Sequence, residues 1–165
     1  VYEELYADEK VTCLMQESAM REQAREEFLE AFAKDNEKTL VGFCIMGGIF
    51  SEGIDLDGEK LIGAAVVGAG IPQVGPEREL LKQYFDRNGE NGFDYAYRYP
   101  GMNKVLQAAG RVIRTTEDRG VILLLDERFR NREYRELFPR EWEDCQIVQR
   151  NRLSDLMEQF WKDQV

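Results

Sequence analysis

The sequence predicts an α/β layered fold with a mostly parallel sheet of about five strands flanked by helices. Short apolar runs of strand length alternate with longer segments whose apolar residues recur at helical spacing. The apolar runs lack polar alternation, which is typical of parallel strands that are covered on both faces. Because such sheets bind ligands at the carboxyl ends of their strands, we expect functional residues just after the strands.

The predicted strands are the most apolar segments of the chain. They cover residues 11–16, 40–46, 61–67, 120–126 and 145–148. The second and third strands end in glycines, at Gly47 and Gly48 and at Gly68 and Gly70. These glycines mark the points where the chain leaves the sheet.

Helices are predicted between the strands. The first runs from Ser18, as N-cap, to near Lys34, and the second runs from Pro76, at the first helical position, to near Asn88. A third runs from Gly101 to Arg114, with Val105, Ala109 and Val112 facing the sheet. A C-terminal helix contains Leu153, Leu156, Met157, Phe160 and Trp161.

Length and composition exclude several classes of protein and of functional site. The 165 residues suit one domain. The absence of histidine excludes histidine bases and histidine-ligated metals. Cys13, Cys44 and Cys145 are far apart and predict neither a disulfide framework nor a metal centre. The chain has no apolar run that is long enough to span a membrane, and it has no signal peptide at its start. A cytoplasmic protein is therefore expected. Because Val1 begins the chain without a helix start signal, we expect residues 1–165 to be a domain from a longer polypeptide.

Charge is unevenly distributed. The net charge of −10 argues against extensive contact with phosphates. In residues 104–140, however, bases outnumber acids, and all of these bases except Lys104 are arginine. This zone is either a solvated surface or a local phosphate-binding region.

Two nucleotide-binding motifs are absent. No G-x-x-x-x-G-K-[ST] sequence occurs, so the chain lacks a phosphate-binding P-loop. Gly68, Ala69 and Gly70 begin a dinucleotide-like turn, but Pro72 interrupts it and Gln73 replaces the third glycine. The chain is therefore neither a complete P-loop ATPase nor a typical dinucleotide-binding domain.

The segment from Gly47 to Leu56 follows a predicted strand and carries polar residues. Ser51, Glu52 and Asp55 lie where an α/β sheet binds ligand. The alternative is a solvated loop whose glycines serve tight turns.

The clearest local signal lies in residues 107–114. On a helix, Gln107, Arg111 and Arg114 would share one face. Paired guanidiniums suit a phosphoryl group because they bind its oxygens and neutralise charge in the transition state. Gly110 costs about 1 kcal/mol in a helix, which indicates close approach to the backbone there. The alternative is a surface helix with two incidental arginines.

Taken together, these segments resemble the C-terminal RecA-like motor domain of the DinG/XPD-like branch of superfamily 2 helicases. Residues 51–56 resemble helicase motif V, and Gln107, Gly110, Arg111 and Arg114 resemble motif VI. Between and after them, residues 70–72, residues 97–100 and residues 126–129 are similar to family landmarks. The resemblance spans nearly the whole chain and predicts a RecA-like fold.

The resemblance implies specific roles. Arg111 and Arg114 would be catalytic arginine fingers, and the nucleotide-binding residues would be Gln107, Gly110, Glu52, Gly53 and Asp55. Ser51, Glu52 and Arg128 would couple nucleotide state to single-stranded DNA. ATP and Mg²⁺ would be held mainly by an N-terminal motor domain of the same polypeptide, and any iron–sulfur cluster would lie outside this chain. The isolated chain is expected to be inactive as an ATPase, with no membrane partner.

Two alternatives remain open at this stage. The domain could act as a non-unwinding scaffold that grips DNA or regulates an attached nuclease. It could also be a protein-interaction domain if Phe93, Tyr95, Tyr97 and Tyr99 were exposed.

Overall fold

Parallel strand pairs form the centre of the fold. The structure, a computed structural model, describes residues 3–4, 7–50 and 60–162. Strand β1 (Val11–Met15) pairs in parallel with β2 (Thr39–Phe43), so that Cys13 lies opposite Val41. Strand β3 (Gly63–Val67) pairs in parallel with β4 (Val121–Leu125), so that Ala65 lies opposite Leu123. The predicted parallel pairing is confirmed.

The sheet differs from the prediction in extent. In the part of the chain that the structure describes, the four strands form two separate two-stranded sheets. Residues 145–148, predicted as a fifth strand, are irregular and exposed, and 66% of Ile147 is accessible. The apolar pair Ile147 and Val148 suggested a strand, but a strand also needs a neighbour for its backbone hydrogen bonds.

Helices connect and cover the strands. Helix α1 (Glu22–Ala33) links β1 to β2, and α2 (Pro76–Arg87) and α3 (Tyr99–Ala109) lie between β3 and β4. The short α4 (Arg132–Arg135) and α5 (Arg150–Lys162) follow β4. Three short elements complete the order: a π-helix at Asp94–Arg98 and 3₁₀ turns at Glu127–Arg130 and Arg140–Trp142.

The predicted helix ends were only partly correct. Pro76 begins α2 as expected, with Gly75 at the N-cap. Ser18 does not cap α1, because that helix begins four residues later and Arg21 occupies the N-cap position. Helix α3 ends at Ala109 instead of Arg114.

The aromatic stretch that precedes α3 is packed against α2. Phe85 stacks on Tyr95 with ring centroids 3.8 Å apart, and the Tyr97 hydroxyl donates a hydrogen bond to Glu79 Oε1 at 2.5 Å. Only 3% of Tyr97 is exposed, and Phe93, Tyr95 and Tyr99 are half-buried. The row therefore serves packing, and the exposed aromatic surface that an interaction domain would need is not formed here.

The main core lies between the β3–β4 sheet and α3. Its buried members are Val66, Ala69, Met102, Val105, Phe129 and Tyr134. The inward orientation predicted for Val105, Ala109 and Val112 is confirmed, since each is at most 2% exposed.

Helix α5 is held through Arg119, whose guanidinium lies over the Phe160 ring and donates to the Phe160 carbonyl oxygen. None of the helices in the described ranges is both long and apolar enough to cross a membrane.

Candidate functional site

The carboxyl ends of β2, β3 and β4 converge at one place, which we call the strand-end edge. The Met46 sulfur, after β2, lies 3.3 Å from where a Cβ on Gly70, after β3, would stand. The Gly68 N–H donates a 3.3 Å hydrogen bond to the carbonyl oxygen of Leu125 at the end of β4. The ends of these three strands therefore lie close together, at the position where the sequence predicts ligand-binding residues.

Two glycines attach the strand-end edge directly to α3. Gly70 has a φ of +65°, in the region that glycine favours, and a Cβ there would lie 2.6 Å from the Gly101 carbonyl oxygen. A Cβ on Gly101 would lie 2.6 Å from the Ala69 carbonyl oxygen. Only glycine allows these two backbones to touch, and the contact fixes where α3 begins.

A second attachment links the ends of β3 and β4 through Asp126. The Arg128 guanidinium donates to both carboxylate oxygens of Asp126, at 2.9 and 2.7 Å, and the Arg128 N–H adds a third bond of 2.9 Å. The backbone N–H of Ala69 also contributes to lowering the pKa of this carboxyl group. The guanidinium is the main reason that the pKa of Asp126 falls to about 2. Arg128, predicted to couple to DNA, thus has a structural partner, while its DNA-coupling role stays a prediction.

The segment predicted as motif VI leaves the helix halfway. Gln107 is exposed in the last turn of α3, and the chain turns at Gly110, whose N–H donates to the Leu106 carbonyl oxygen at 2.8 Å. The shared helical face of Gln107, Arg111 and Arg114 was therefore a wrong prediction. Gly110 is exposed and ends the helix, and a Cβ there would lie 3.1 Å from the Leu106 carbonyl oxygen of the same turn. The close approach of a ligand to its backbone stays a prediction.

Two anchors explain why the helix cannot continue to Arg114. Val112 turns into the core, where its Cγ1 fills the space that a Cβ on Gly120 would need, at 2.3 Å. Asp118 Oδ2 accepts hydrogen bonds from the N–H groups of Arg114 and Thr115, each at 2.8 Å. These backbone donors lower the pKa of Asp118.

The two arginines therefore lie in a folded turn instead of on a helix. Arg111, next to the buried Val112, is half-buried, and Arg114, held through its backbone by Asp118, is exposed. Each arginine is positioned by its own anchor. Both arginines still lie within five residues of the end of α3, and guanidinium groups suit an anion.

The predicted motif V residues Ser51, Glu52, Gly53 and Asp55 lie outside the described residues. The chain just before them is well anchored: Phe50 is buried and stacks on Phe28 of α1, with ring centroids 4.3 Å apart. In residues 3–4, 7–50 and 60–162, no group of three or more cysteine or acidic side chains could hold a metal ion.

Comparison with known proteins settles the family. A sequence profile of the helicase C-terminal domain matches residues 1–145. The chain belongs to the helicase C-terminal domain family. The predicted resemblance to DinG- and XPD-like helicases is confirmed by this match and by the relatives below.

Relatives of this helicase C-terminal domain carry helicase names. It is 36% identical over 104 residues to the ATP-dependent DNA helicase DinG of Photobacterium profundum, covering 61% of this chain and 15% of that protein. It is 29% identical over 132 residues to the general transcription and DNA repair factor IIH helicase subunit XPD of Dictyostelium discoideum, covering 75% and 16%. The chain thus spans less than a fifth of these relatives.

The structural comparison agrees on the fold. A solved XPD helicase chain matches with a TM-score of 0.57 at 19% identity, over 80% of this chain and 24% of that chain. The predicted RecA-like α/β fold is confirmed, although the described strands form two small sheets.

Sequence reasoning missed several residues that position the site of this helicase C-terminal domain. Asp118 was not singled out, although an acid shortly after an arginine-containing turn is a common acceptor for backbone N–H groups. Asp126 was considered only as part of the segment 126–129 that resembles the helicase family. Its ion pair with Arg128 could not be predicted from spacing, because residues two apart do not share a helical face. Lys104 was noted only as part of the basic zone, and its place beside Gly47 could not be predicted from spacing.

Proposed function

We propose that this helicase C-terminal domain is the second motor domain of an ATP-dependent DNA helicase. In this proposal Arg111 and Arg114 act as arginine fingers on ATP held by a first motor domain. The observation that supports it is the anchoring of the two arginines on one short turn, by Val112 in the core and by Asp118 at the surface. An arginine finger needs such anchoring because its benefit depends on a fixed position relative to the phosphate.

The chemistry follows from the guanidinium group. Its planar donors match phosphate oxygens, and its charge cannot be removed at any physiological pH. In phosphoryl transfer, charge spreads over the equatorial oxygens, and a guanidinium placed there stabilises the transition state more than the ground state. Gln107, exposed one turn before Arg111, is suited to orient the same ligand through its amide.

ATP and Mg²⁺ would supply the phosphoryl group and its countercharge when bound. The guanidinium groups of Arg111 and Arg114 are suited to bind the phosphates of ATP. They cannot hold the metal, and the described residues carry no group of acids arranged for it. We therefore assign the Mg²⁺ ligands and most of the nucleotide site to the first motor domain.

Coupling to DNA completes the proposal. Ser51, Glu52, Gly53 and Asp55 would transmit nucleotide state to single-stranded DNA across the two domains, together with Arg128. Arg128 is suited to this because its Asp126 contact joins two strand ends. Closure of the domains on ATP and reopening after hydrolysis would move the strand.

The test is ATP turnover by the full-length protein with and without single-stranded DNA. We expect Arg111→Ala and Arg114→Ala each to lower turnover about 10³-fold or more while nucleotide still binds, because arginine fingers contribute that much in related chemistry. Arg152→Ala, an exposed arginine on α5, is the matched control and should leave turnover unchanged. Unchanged turnover in both finger variants would reject this proposal and favour the non-unwinding scaffold. Substantial hydrolysis by the isolated 165-residue chain would contradict the division of the site between two domains.

A further inference from the structure

The turn that follows β2 is held in a fixed shape. The Gly48 N–H donates to the Ile45 carbonyl oxygen at 2.8 Å, which closes a turn over residues 45–48. The side chain of Gln16, just after β1, accepts from the Ile45 N–H at 2.9 Å. Gly47, at the tip, has a φ of +77°. These contacts place the turn rigidly on the strand-end edge.

Lys104 of α3 lies across this turn. Its Cε and Nζ are 3.0 and 3.4 Å from where a Cβ on Gly47 would stand. Any side chain at position 47 would therefore meet the end of this lysine. The helix is fixed at its start by the Gly70–Gly101 contact, so the lysine reaches the turn from a defined direction.

The ammonium group of Lys104 has no protein partner within the described chain. Lys34, Lys82 and Lys162 each form an ion pair with an acid four residues away along their own helix. Lys104 is half-buried, yet no acidic side chain in the described ranges lies within ion-pair distance of it. The positive charge of Lys104 is therefore available to a negatively charged ligand.

The same turn and the same helix carry further hydrogen-bond donors. Among the described residues, the N–H groups of Met46 and Gly47 make no hydrogen bond. On α3, Gln107 lies one turn after Lys104. An ammonium beside free backbone N–H groups is suited to a compact multivalent anion.

We propose that Lys104 and the 45–48 turn bind a phosphate group. This inference rests on the proposed function, which supplies two sources of phosphate: the backbone of a single strand and the phosphates of a nucleotide. The site would add a contact at the carboxyl end of β2, separate from Arg111 and Arg114. Lysine serves here as a point charge, so position and charge matter more than bidentate geometry.

The experiment compares wild-type full-length protein with Lys104→Gln, Lys104→Arg and the control Lys162→Gln. Lys162 is an exposed lysine on α5, so its variant makes the same charge change far along the chain from the turn. Binding of a fluorescent single-stranded oligonucleotide is measured by anisotropy across salt concentrations. Binding of a non-hydrolysable ATP analogue is measured in parallel, and the thermal unfolding midpoint checks folding.

If the phosphate belongs to the strand, Lys104→Gln should make the slope of log K against log salt shallower by about 0.7, the value for one contact on a single strand. The ratio of the wild-type binding constant for the strand to that of Lys104→Gln should then fall about 2.6-fold between 50 and 200 mM salt. Lys104→Arg should retain most of the wild-type slope, and Lys162→Gln should retain all of it. Weaker binding of the ATP analogue by Lys104→Gln, with an unchanged strand slope, would instead assign the phosphate to the nucleotide.

Two outcomes would overturn the inference in different ways. If wild type binds both probes and Lys104→Gln matches Lys162→Gln in both titrations, the phosphate contact does not exist and the proposed function is unaffected. If wild type binds neither probe, the proposed function is wrong and the Lys104 site fails with it.

Discussion

We expect the contact between Asp126 and Arg128 to stabilise the folded chain by an amount that depends on pH. The ordinary pKa of an aspartate is 3.8, and in the folded chain that of Asp126 is about 2. One pKa unit corresponds to about 1.4 kcal/mol, so the full difference corresponds to about 2 kcal/mol. The Arg128 side chain is 40% exposed, and solvent screening reduces the expected contribution to about 1 to 2 kcal/mol.

The sign follows from the lowered pKa. Folding favours the ionised carboxylate, so the contribution is fully present above about pH 5 and is lost as the pH falls from about 4 to about 2. Asp126→Asn should therefore lower the free energy of unfolding by about 1 to 2 kcal/mol at pH 7. The difference between wild type and variant should shrink steadily below pH 4 and nearly vanish near pH 2.

Urea unfolding of the 165-residue chain, followed by tryptophan fluorescence at pH 7, 5, 4 and 3, measures this difference directly. Asp155→Asn, which removes an exposed acid on α5, is the matched control and should change stability little at any of these pH values. An Asp126→Asn effect that is as large at pH 3 as at pH 7 would refute the electrostatic explanation. The loss would then have to come from packing or from the hydrogen bonds that the amide cannot replace.

Three further substitutions test other contacts. Gly101→Ala should destabilise the chain by about 1 to 3 kcal/mol in the same urea assay, because the new methyl group would meet a backbone oxygen 2.6 Å away; a neutral effect would mean that the loop after β3 moves freely. Asp118→Ala should lower ATP turnover of the full-length protein while nucleotide still binds, because Arg114 loses its backbone anchor; turnover equal to wild type would show that the anchor is dispensable. Tyr97→Phe should cost about 1 kcal/mol through the lost hydrogen bond to Glu79, and an unchanged urea midpoint would contradict that estimate.

Much of the fold could be predicted because its elements are locally encoded. The continuous apolar runs around Cys13, Val41, Val66 and Leu123 form strands, and their lack of alternation correctly indicated parallel pairing. Pro76 marked a helix start because its fixed φ and missing N–H suit that position. By contrast, the apolar pair at 147–148 resembled a strand, yet a strand exists only with a partner, and that is a property of the tertiary structure.

The sequence indicated which residues of the 105–114 segment are buried, but not the path of the chain after α3. The helical spacing of Val105, Ala109 and Val112 correctly placed all three in the core. The same spacing extended the helix too far, because Val112 reaches the core through a turn against Gly120, which lies eight residues further along the chain. The role of Arg111 and Arg114 in the site stays a prediction, and their positions depend on long-range contacts that periodicity does not contain.

The backbone contact between Gly70 and Gly101 has a mechanical consequence. Where a loop packs against a helix, side chains usually lie between the two backbones, and they can change rotamer when one backbone shifts slightly. Here two main chains touch directly, and no rotatable group lies between them. We therefore expect a displacement of the strand ends to move α3 as one body, together with Gln107 and the arginine turn at its end.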